Sequence, residues 1–206
     1  MNDEEYFEEQ YITVDKDAWS HGQMTSKLWM CKALEKQFGQ LNKKSKLGTA
    51  SPKVAIYGGW YGLLAQLILV RDKWFVSEFR SYDIDPTCQP IADVVNNAWE
   101  YTNWRFKAFT QDCNNIPWYK SGWNPDLVIN TATEHFDGMV WWDNIPKGTW
   151  VALQGCDMKH SDHCMIFESL DEFSSIYPMK KVVERSELFI QYPEWSFTRF
   201  MKIGRK

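Results

Sequence analysis

Apolar residues recur along this chain in two periods, and the switches between them outline the fold. In TSKLWMCKALEKQF, residues 25–38, Leu28, Cys31, Leu34 and Phe38 repeat at three- and four-residue steps, so they share one helical face. Thr25 supplies an N-cap side chain there. From residue 53 the pattern changes. KVAIYG reads as a strand, YGLLAQLILVRD as a helix, and WFVSEFRSYDID ends as a strand. PTCQPIADVVNNAWEYT follows as a helix, with Pro86 and Pro90 near its start, where proline is tolerated. WRFKAFTQD, PDLVINTAT and GTWVALQG are three further strands. Alternating strands and helices build a parallel sheet covered on both faces. KKVVERSELFIQY and EWSFTRFMKIGRK break that rhythm, with Pro193 between them, and read as an antiparallel pair closing one sheet edge.

The expected organisation is an arm and helical extension over residues 1–50, followed by one α/β domain over 51–206. The arm (1–14) is acidic and aromatic, and GQLNKKSKLGTASP (39–52) is a basic connector. A length of 206 residues with 44% apolar composition supports one core of this size. The twelve tryptophans are assigned to core and cleft lining. A net charge of −4 gives no electrostatic footprint for general nucleic-acid binding. No apolar run reaches the roughly 18 residues of a spanning helix, so no membrane role is expected. The five cysteines include no C-x-x-C pair and no leader is recognised, which points to reduced thiols in a cytoplasmic protein.

In doubly wound sheets, ligands bind outside the carboxyl ends of the strands. Those positions carry an ordered set of residues here. Gly58, Gly59 and Gly62 follow the first strand, and Asp83 and Asp85 close the second. Asp112 follows the third, and Asn130, Thr131, Glu134 and His135 follow the fourth. Glycines let backbone approach a ligand, a carboxylate accepts from ribose hydroxyls, and a further acid or amide accepts from a base amino group. Each residue also has a local structural reading. The glycines make a packing turn, DIDP is N-cap chemistry, Asp112 starts an Asx-turn, and Glu134 with His135 cap the next helix. His135 at a cleft edge is also a candidate general base. CDMKHSDHC (156–164) clusters Cys156, His160, Asp162, His163 and Cys164. Its spacing matches no common zinc pattern, so no metal is assigned and the stretch is read as a substrate-lining loop.

Residues 53–203 resemble the class I S-adenosylmethionine-dependent methyltransferases. VAIYGGWYGLLAQLI is similar to that family's glycine-rich motif, and SYDIDPTCQPIADVVNN to its acidic second motif. FTQDCNNI and PDLVINTATEHF are similar to the third and fourth motifs, and the last two strands to its closing hairpin. The NTATEHF form also resembles small phage-encoded methyltransferase-like proteins. The resemblance implies a Rossmann-like three-layer sandwich with a mostly parallel seven-stranded sheet, and S-adenosyl-L-methionine as cofactor. It implies that Gly58 and Gly62 line the methionine and ribose part, with Gly59 also among the cofactor-binding residues, that Asp83 takes the ribose hydroxyls and that Asp112 contacts adenine. Asn130 and Thr131 would lie near the sulfonium, with His135 and Glu134 on the catalytic side.

Two positions depart from that pattern. The family usually has an acid where Tyr57 stands and a glycine where Trp60 stands. Two other functions therefore remain open, an NAD-dependent oxidoreductase and a non-catalytic binding or structural protein. GGWYG lacks the full G-x-G-x-x-G spacing of the dinucleotide enzymes. The acceptor (small molecule, glycan or macromolecule) and the oligomeric state are not set by the sequence. Family members place acceptor contacts at the fourth and fifth strand ends, so Trp141, Trp142, the 156–164 loop and WSHGQMTSK (19–27) are expected to build the acceptor pocket.

Overall fold

The computed structural model describes residues 13–39, 51–116, 118 and 122–206. Nearly all of the acidic arm and the basic connector lies outside the described residues. Seven strands form one sheet: β1 (Lys53–Tyr57), β2 (Glu78–Asp83), β3 (Phe106–Thr110), β4 (Leu127–Asn130), β5 (Trp150–Cys156), β6 (Lys181–Gln191) and β7 (Ser196–Arg205). Their spatial order is β3-β2-β1-β4-β5-β7-β6. The first five strands run parallel. β7 inserts antiparallel between β5 and β6, with a register shift between Val182 and Glu184 of β6. The chain steps outward from β1 to β3 and then returns to the other side of β1, so the topological switch lies between β1 and β4.

Strand composition follows position. β4 (LVIN) and β5 (WVALQGC) are central and buried along their whole length. That is why they read as continuous apolar runs rather than alternating ones. β6 is the edge strand, and most of its residues are exposed or half-buried.

Each sheet face carries its own core. On one face, Val54, Ile56, Phe79, Phe106, Leu127, Ile129 and Ile203 pack beneath α1 (His21–Phe38), α2 (Leu63–Arg71) and Ala92 of α3 (Cys88–Val95). On the other, Ala55, Tyr57, Tyr82, Val128, Val151 and Phe200 pack against α5 (Val140–Asn144), α6 (Leu170–Ile176) and the segment carrying Trp118 and Trp123. The tryptophan count finds its use here. Trp118, Trp123, Trp141 and Trp142 build the second core, while Trp74 and Trp150 belong to the first.

α1 is one layer of the main core. Its Met30, Cys31, Leu34 and Phe38 are buried with the strands, and Ser26 Oγ donates to Gln154 Oε1 of β5 at 3.0 Å. The helix begins four residues before the Thr25 expected from sequence, because Ser20 is the cap: its side chain accepts from the Gln23 N–H. The single helix expected over 86–102 is divided into α3 and α4 (Asn97–Asn103) at Asn96. That side chain is fully buried, and its Nδ2 donates to the carbonyls of Gly62 and Ala92. α6, capped by Ser169, has no counterpart in the sequence reading. Among the described residues, no helix is long and apolar enough to cross a membrane.

Candidate functional site

A cleft of about 780 Å³ opens at the carboxyl ends of the parallel strands. Its walls come from every strand end in turn: Gly58–Trp60 after β1, Asp83 and Ile84 at β2, Asp112–Asn114 after β3, Thr131, Ala132 and Glu134–Asp137 after β4, and Met158, His160, Asp162 and His163 after β5. The N-terminal segment closes one side with Asp15, Asp17, Gln23 and Lys27, and Arg199 of β7 completes it.

The glycine turn is built for both packing and access. Gly58 lines the cleft with φ +59°, a left-handed conformation that disfavours side chains. Gly59 also lines it, but a Cβ there would fall 1.9 Å from Ser81 Oγ, so its missing side chain lets β1 and β2 stay paired. Gly62 is set back from the cleft. It takes φ +69° at the start of α2, and a Cβ would fall 2.6 Å from Asn96 Nδ2 and 3.0 Å from Phe106 Cζ.

The two departures from the family pattern now have physical descriptions. Tyr57 is fully buried, parallel to Trp118 and edge-on to Tyr82 and Trp141, so an aromatic core residue fills the place of the acid. Trp60 holds φ +48°, the left-handed conformation glycine would take freely. Such a conformation costs a non-glycine on the order of 1–3 kcal/mol. Its N–H donates to Asp83 Oδ2 at 2.8 Å and its ring lies 5.2 Å from that of Tyr61, both of which hold the turn.

Asp83 is fixed from two sides. Oδ2 accepts from the Trp60 N–H and Oδ1 from the Asp85 N–H at 3.1 Å, leaving lone pairs on both oxygens toward the cleft it lines. Asp85 turns away, its Oδ1 accepting from the N–H and hydroxyl of Thr87 as a local cap. Asp112 lines the cleft and also caps the turn Cys113–Asn115, through Asn114 N–H and Asn115 Nδ2.

At the end of β4, Asn130 is fully buried behind the cleft wall, and its Oδ1 accepts from the Ala132 N–H. Thr131, Glu134 and His135 reach the cleft. Glu134 and Arg199 are 1% and 6% exposed at their side chains and pair at 2.6 Å through Oε1. Arg199 also donates to the Thr131 carbonyl. Burial pushes Lys27 down to about 7, with the Arg199 charge adding to the effect. Its ammonium donates to Gln23 Oε1 at 2.6 Å.

The 156–164 loop folds onto this wall. The Nδ1 of His135 lies 3.1 Å from the Asp162 carbonyl, and the Nδ1 of His163 lies 2.7 Å from the Met158 carbonyl. A carbonyl only accepts, so each Nδ1 carries a proton, and in the neutral tautomer this bond selects the lone pair falls on Nε2. Burial holds the His163 pKa below its usual value. The two rings meet edge-to-face, 4.7 Å between centroids. Cys156 is buried and its thiol is pushed up to about 12 by that burial, while Cys164 is exposed.

Of the residues singled out from sequence, Gly58, Gly59, Asp83, Asp112, Thr131, Glu134 and His135 meet in one cleft, and Gly62 and Asn130 stand behind it. Trp141 and Trp142, expected beside the acceptor, are core residues, 0% and 3% exposed. They bury because α5 covers the second sheet face. Arg199 and Asp15 were not singled out, and Lys27 entered only as the last residue of the 19–27 segment expected at the acceptor pocket, where it and Gln23 do line the cleft. Lys27 and Arg199 sit within ordinary helix and strand patterns, and only the tertiary fold turns them into the cleft.

No protein-family model matches the chain, and no curated protein matches it. Solved structures do. Magnesium protoporphyrin IX methyltransferase from Synechocystis, crystallised with bound S-adenosylhomocysteine, aligns at TM-score 0.62 and 12% identity over 93% of this chain and 88% of that one. The same enzyme with bound S-adenosylmethionine aligns at TM-score 0.61 and 9% identity, over 93% and 86%. The YcgJ protein of Bacillus subtilis aligns at TM-score 0.59 and 15% identity, over 89% and 99%. At such identities the likeness is one of architecture, and the sheet order with its inserted antiparallel β7 agrees with it. The fold of this chain is that of the class I S-adenosylmethionine-dependent methyltransferases.

Proposed function

We propose that the chain binds S-adenosyl-L-methionine at the ends of β1, β2 and β3 and transfers its methyl group to an acceptor held at the ends of β4 and β5. The observation that carries this reading is the charge of the cleft. Among the described residues, seven carboxylates line it: Asp15, Asp17, Asp83, Asp112, Glu134, Asp137 and Asp162. Against them stand Arg199, already paired with Glu134, and Lys27, whose charge burial disfavours. Such a cleft suits a sulfonium cation and opposes the pyrophosphate of a nicotinamide dinucleotide. The solved structures that carry S-adenosylmethionine or its demethylated product in the same fold support the same reading.

The residues present fit the cofactor. Asp83 offers oriented carboxylate lone pairs to the ribose hydroxyls, and Gly58 and Gly59 leave backbone exposed along the cleft wall. Asp112 and the turn after it form the adenine end. Bound there, the cofactor supplies a methyl group already activated by its positive sulfur. The protein's part is alignment, because holding the nucleophile in line provides most of the rate gain. Thr131 and the wall after β4 flank the methyl side. His135, through Nε2, is the polar group that meets the acceptor, and Glu134 fixes Arg199 and the Thr131 carbonyl beneath it.

A ligand panel in a thermal-melting assay tests this. S-adenosylhomocysteine at one hundred times its Kd should stabilise the protein by about 2.7 kcal/mol and raise the melting temperature accordingly. NAD at the same concentration should leave the midpoint unchanged. Stabilisation by NAD and not by S-adenosylhomocysteine would overturn the reading in favour of a dinucleotide enzyme. No response to either would favour a protein that has kept the fold without the chemistry.

A further inference from the structure

The wall after β4 holds an arrangement that methyl transfer by alignment alone does not use. A carboxylate oxygen of Glu134 and one ring nitrogen from each of His135 and His163 lie within 4.8 Å of one another. Among the described residues no nitrogen or oxygen donor reaches the second oxygen of Glu134, Oε2, which is buried; Oε1 is held by Arg199, and the Cys156 thiol offers the carboxylate only a weak sulfur bond. A buried carboxylate oxygen so weakly satisfied is costly, and such atoms call for a ligand, an ion or a water.

Both histidines are prepared in the same way. Each donates Nδ1–H to a main-chain carbonyl, Asp162 for one and Met158 for the other, which fixes the ring and leaves the Nε2 lone pair free. Metal-ligating histidines are held in this manner, with the outer nitrogen bonded to a carbonyl or carboxylate. Sequence spacing concealed the set, because His163 comes from the loop after β5 while Glu134 and His135 follow β4.

We propose that Glu134, His135 and His163 bind a divalent first-row transition-metal ion at the acceptor end of the cleft, and that this ion binds and activates an acceptor hydroxyl. The donor set is two imidazoles and one carboxylate on one side of the ion, which suits manganese, iron, cobalt, nickel or zinc and leaves the opposite positions open. Metal bonds of about 2.1 Å bring adjacent donors to about 3 Å of each other, so binding would draw the three groups closer than the 4.8 Å within which they now lie. Arg199 offsets part of the Glu134 charge, while Asp137 and Asp162 on the cleft wall add negative field. All three ligands line the cleft, so an ion they hold would be reached from it.

The substrate class follows, and this step rests on the methyl-transfer reading above. A Lewis-acid ion lowers the pKa of a bound water from 15.7 to about 7, and a bound alcohol or phenol is acidified in the same sense. The hydroxyl proton leaves to water, the oxygen lone pair forms the new bond to the methyl carbon, and the methyl–sulfur bonding pair returns to sulfur. His135 then acts through the ion rather than as a free base.

The test is calorimetric titration of manganese and of zinc into the tag-free, chelator-stripped full chain, with the absorption spectrum of the cobalt-loaded protein. The expected result is one ion per chain, with cobalt bands of imidazole–carboxylate ligation. His163→Ala and His135→Ala should each weaken binding at least tenfold and alter the bands, while S-adenosylhomocysteine affinity stays within twofold of wild type. These two variants avoid Glu134, whose loss strands the buried Arg199. Absence of stoichiometric binding, or affinity unchanged in both variants, overturns the metal site even if S-adenosylhomocysteine binds. Metal binding lost in both variants in a chain that fails to bind S-adenosylhomocysteine keeps the metal site and overturns the methyl-transfer reading instead.

Discussion

Lys27 illustrates how one buried side chain ties stability to the site. Its pKa falls from 10.5 to about 7 because burial penalises the ammonium and Arg199 adds repulsion. The unfolded chain therefore binds a proton between pH 7 and 10.5 that the folded chain does not. Its destabilisation is full below pH 7 and fades as the pH rises toward 10.5. Lys27→Met should accordingly melt above wild type at pH 6.5, with the gap closing by pH 9.5, as a melting series on both proteins would show. Groups common to both, including the thiols that burial raises, cancel in the difference. A gap that stays constant with pH would mean that the ammonium is not desolvated. Residues of this kind are hard to read in a sequence. Gln23 and Lys27 follow one another at an ordinary helical spacing, and Arg199 alternates as any strand residue does. Asp83 was legible because it closes a strand and stands before a proline-started helix.

At the scale of elements, the strand–helix alternation and the closing hairpin were readable because buried parallel strands leave uninterrupted apolar runs. The break between α3 and α4 was not. Asn96 looks like any polar helix residue until its amide is seen bonded to the Gly62 carbonyl beneath the glycine turn. The turn itself answers to two constraints, open backbone on the cleft at Gly58 and strand packing at Gly59. Gly59→Ala should destabilise the fold by about 1–3 kcal/mol, the usual cost of overpacking, because its Cβ would overlap Ser81 Oγ. Adding Ser81→Ala should recover part of that loss in urea unfolding, since it removes the overlapping atom. If the double variant is no more stable than Gly59→Ala alone, the contact is not the cause. From sequence, α1 was read as part of the helical extension over residues 1–50. Its burial against the sheet makes it a structural layer that also carries Lys27 into the cleft.

For the molecule as a whole, the topological switch between β1 and β4 sets where ligands gather, and strand ends that are far apart in sequence deliver the carboxylates together. The fold class could be read from order and periodicity. The metal-ligand set could not, since its members come from two crossovers whose loops meet only in three dimensions. The central claim is that Asp83 anchors an S-adenosylmethionine-type ligand at the end of β2. Calorimetric titration of S-adenosylhomocysteine into wild type and Asp83→Ala tests it most directly. The account predicts one site in wild type and a loss of about 1.5–3 kcal/mol in affinity for the variant, the range for hydrogen bonds to a charged group. Equal affinity in the two proteins, or no binding by wild type, would contradict it.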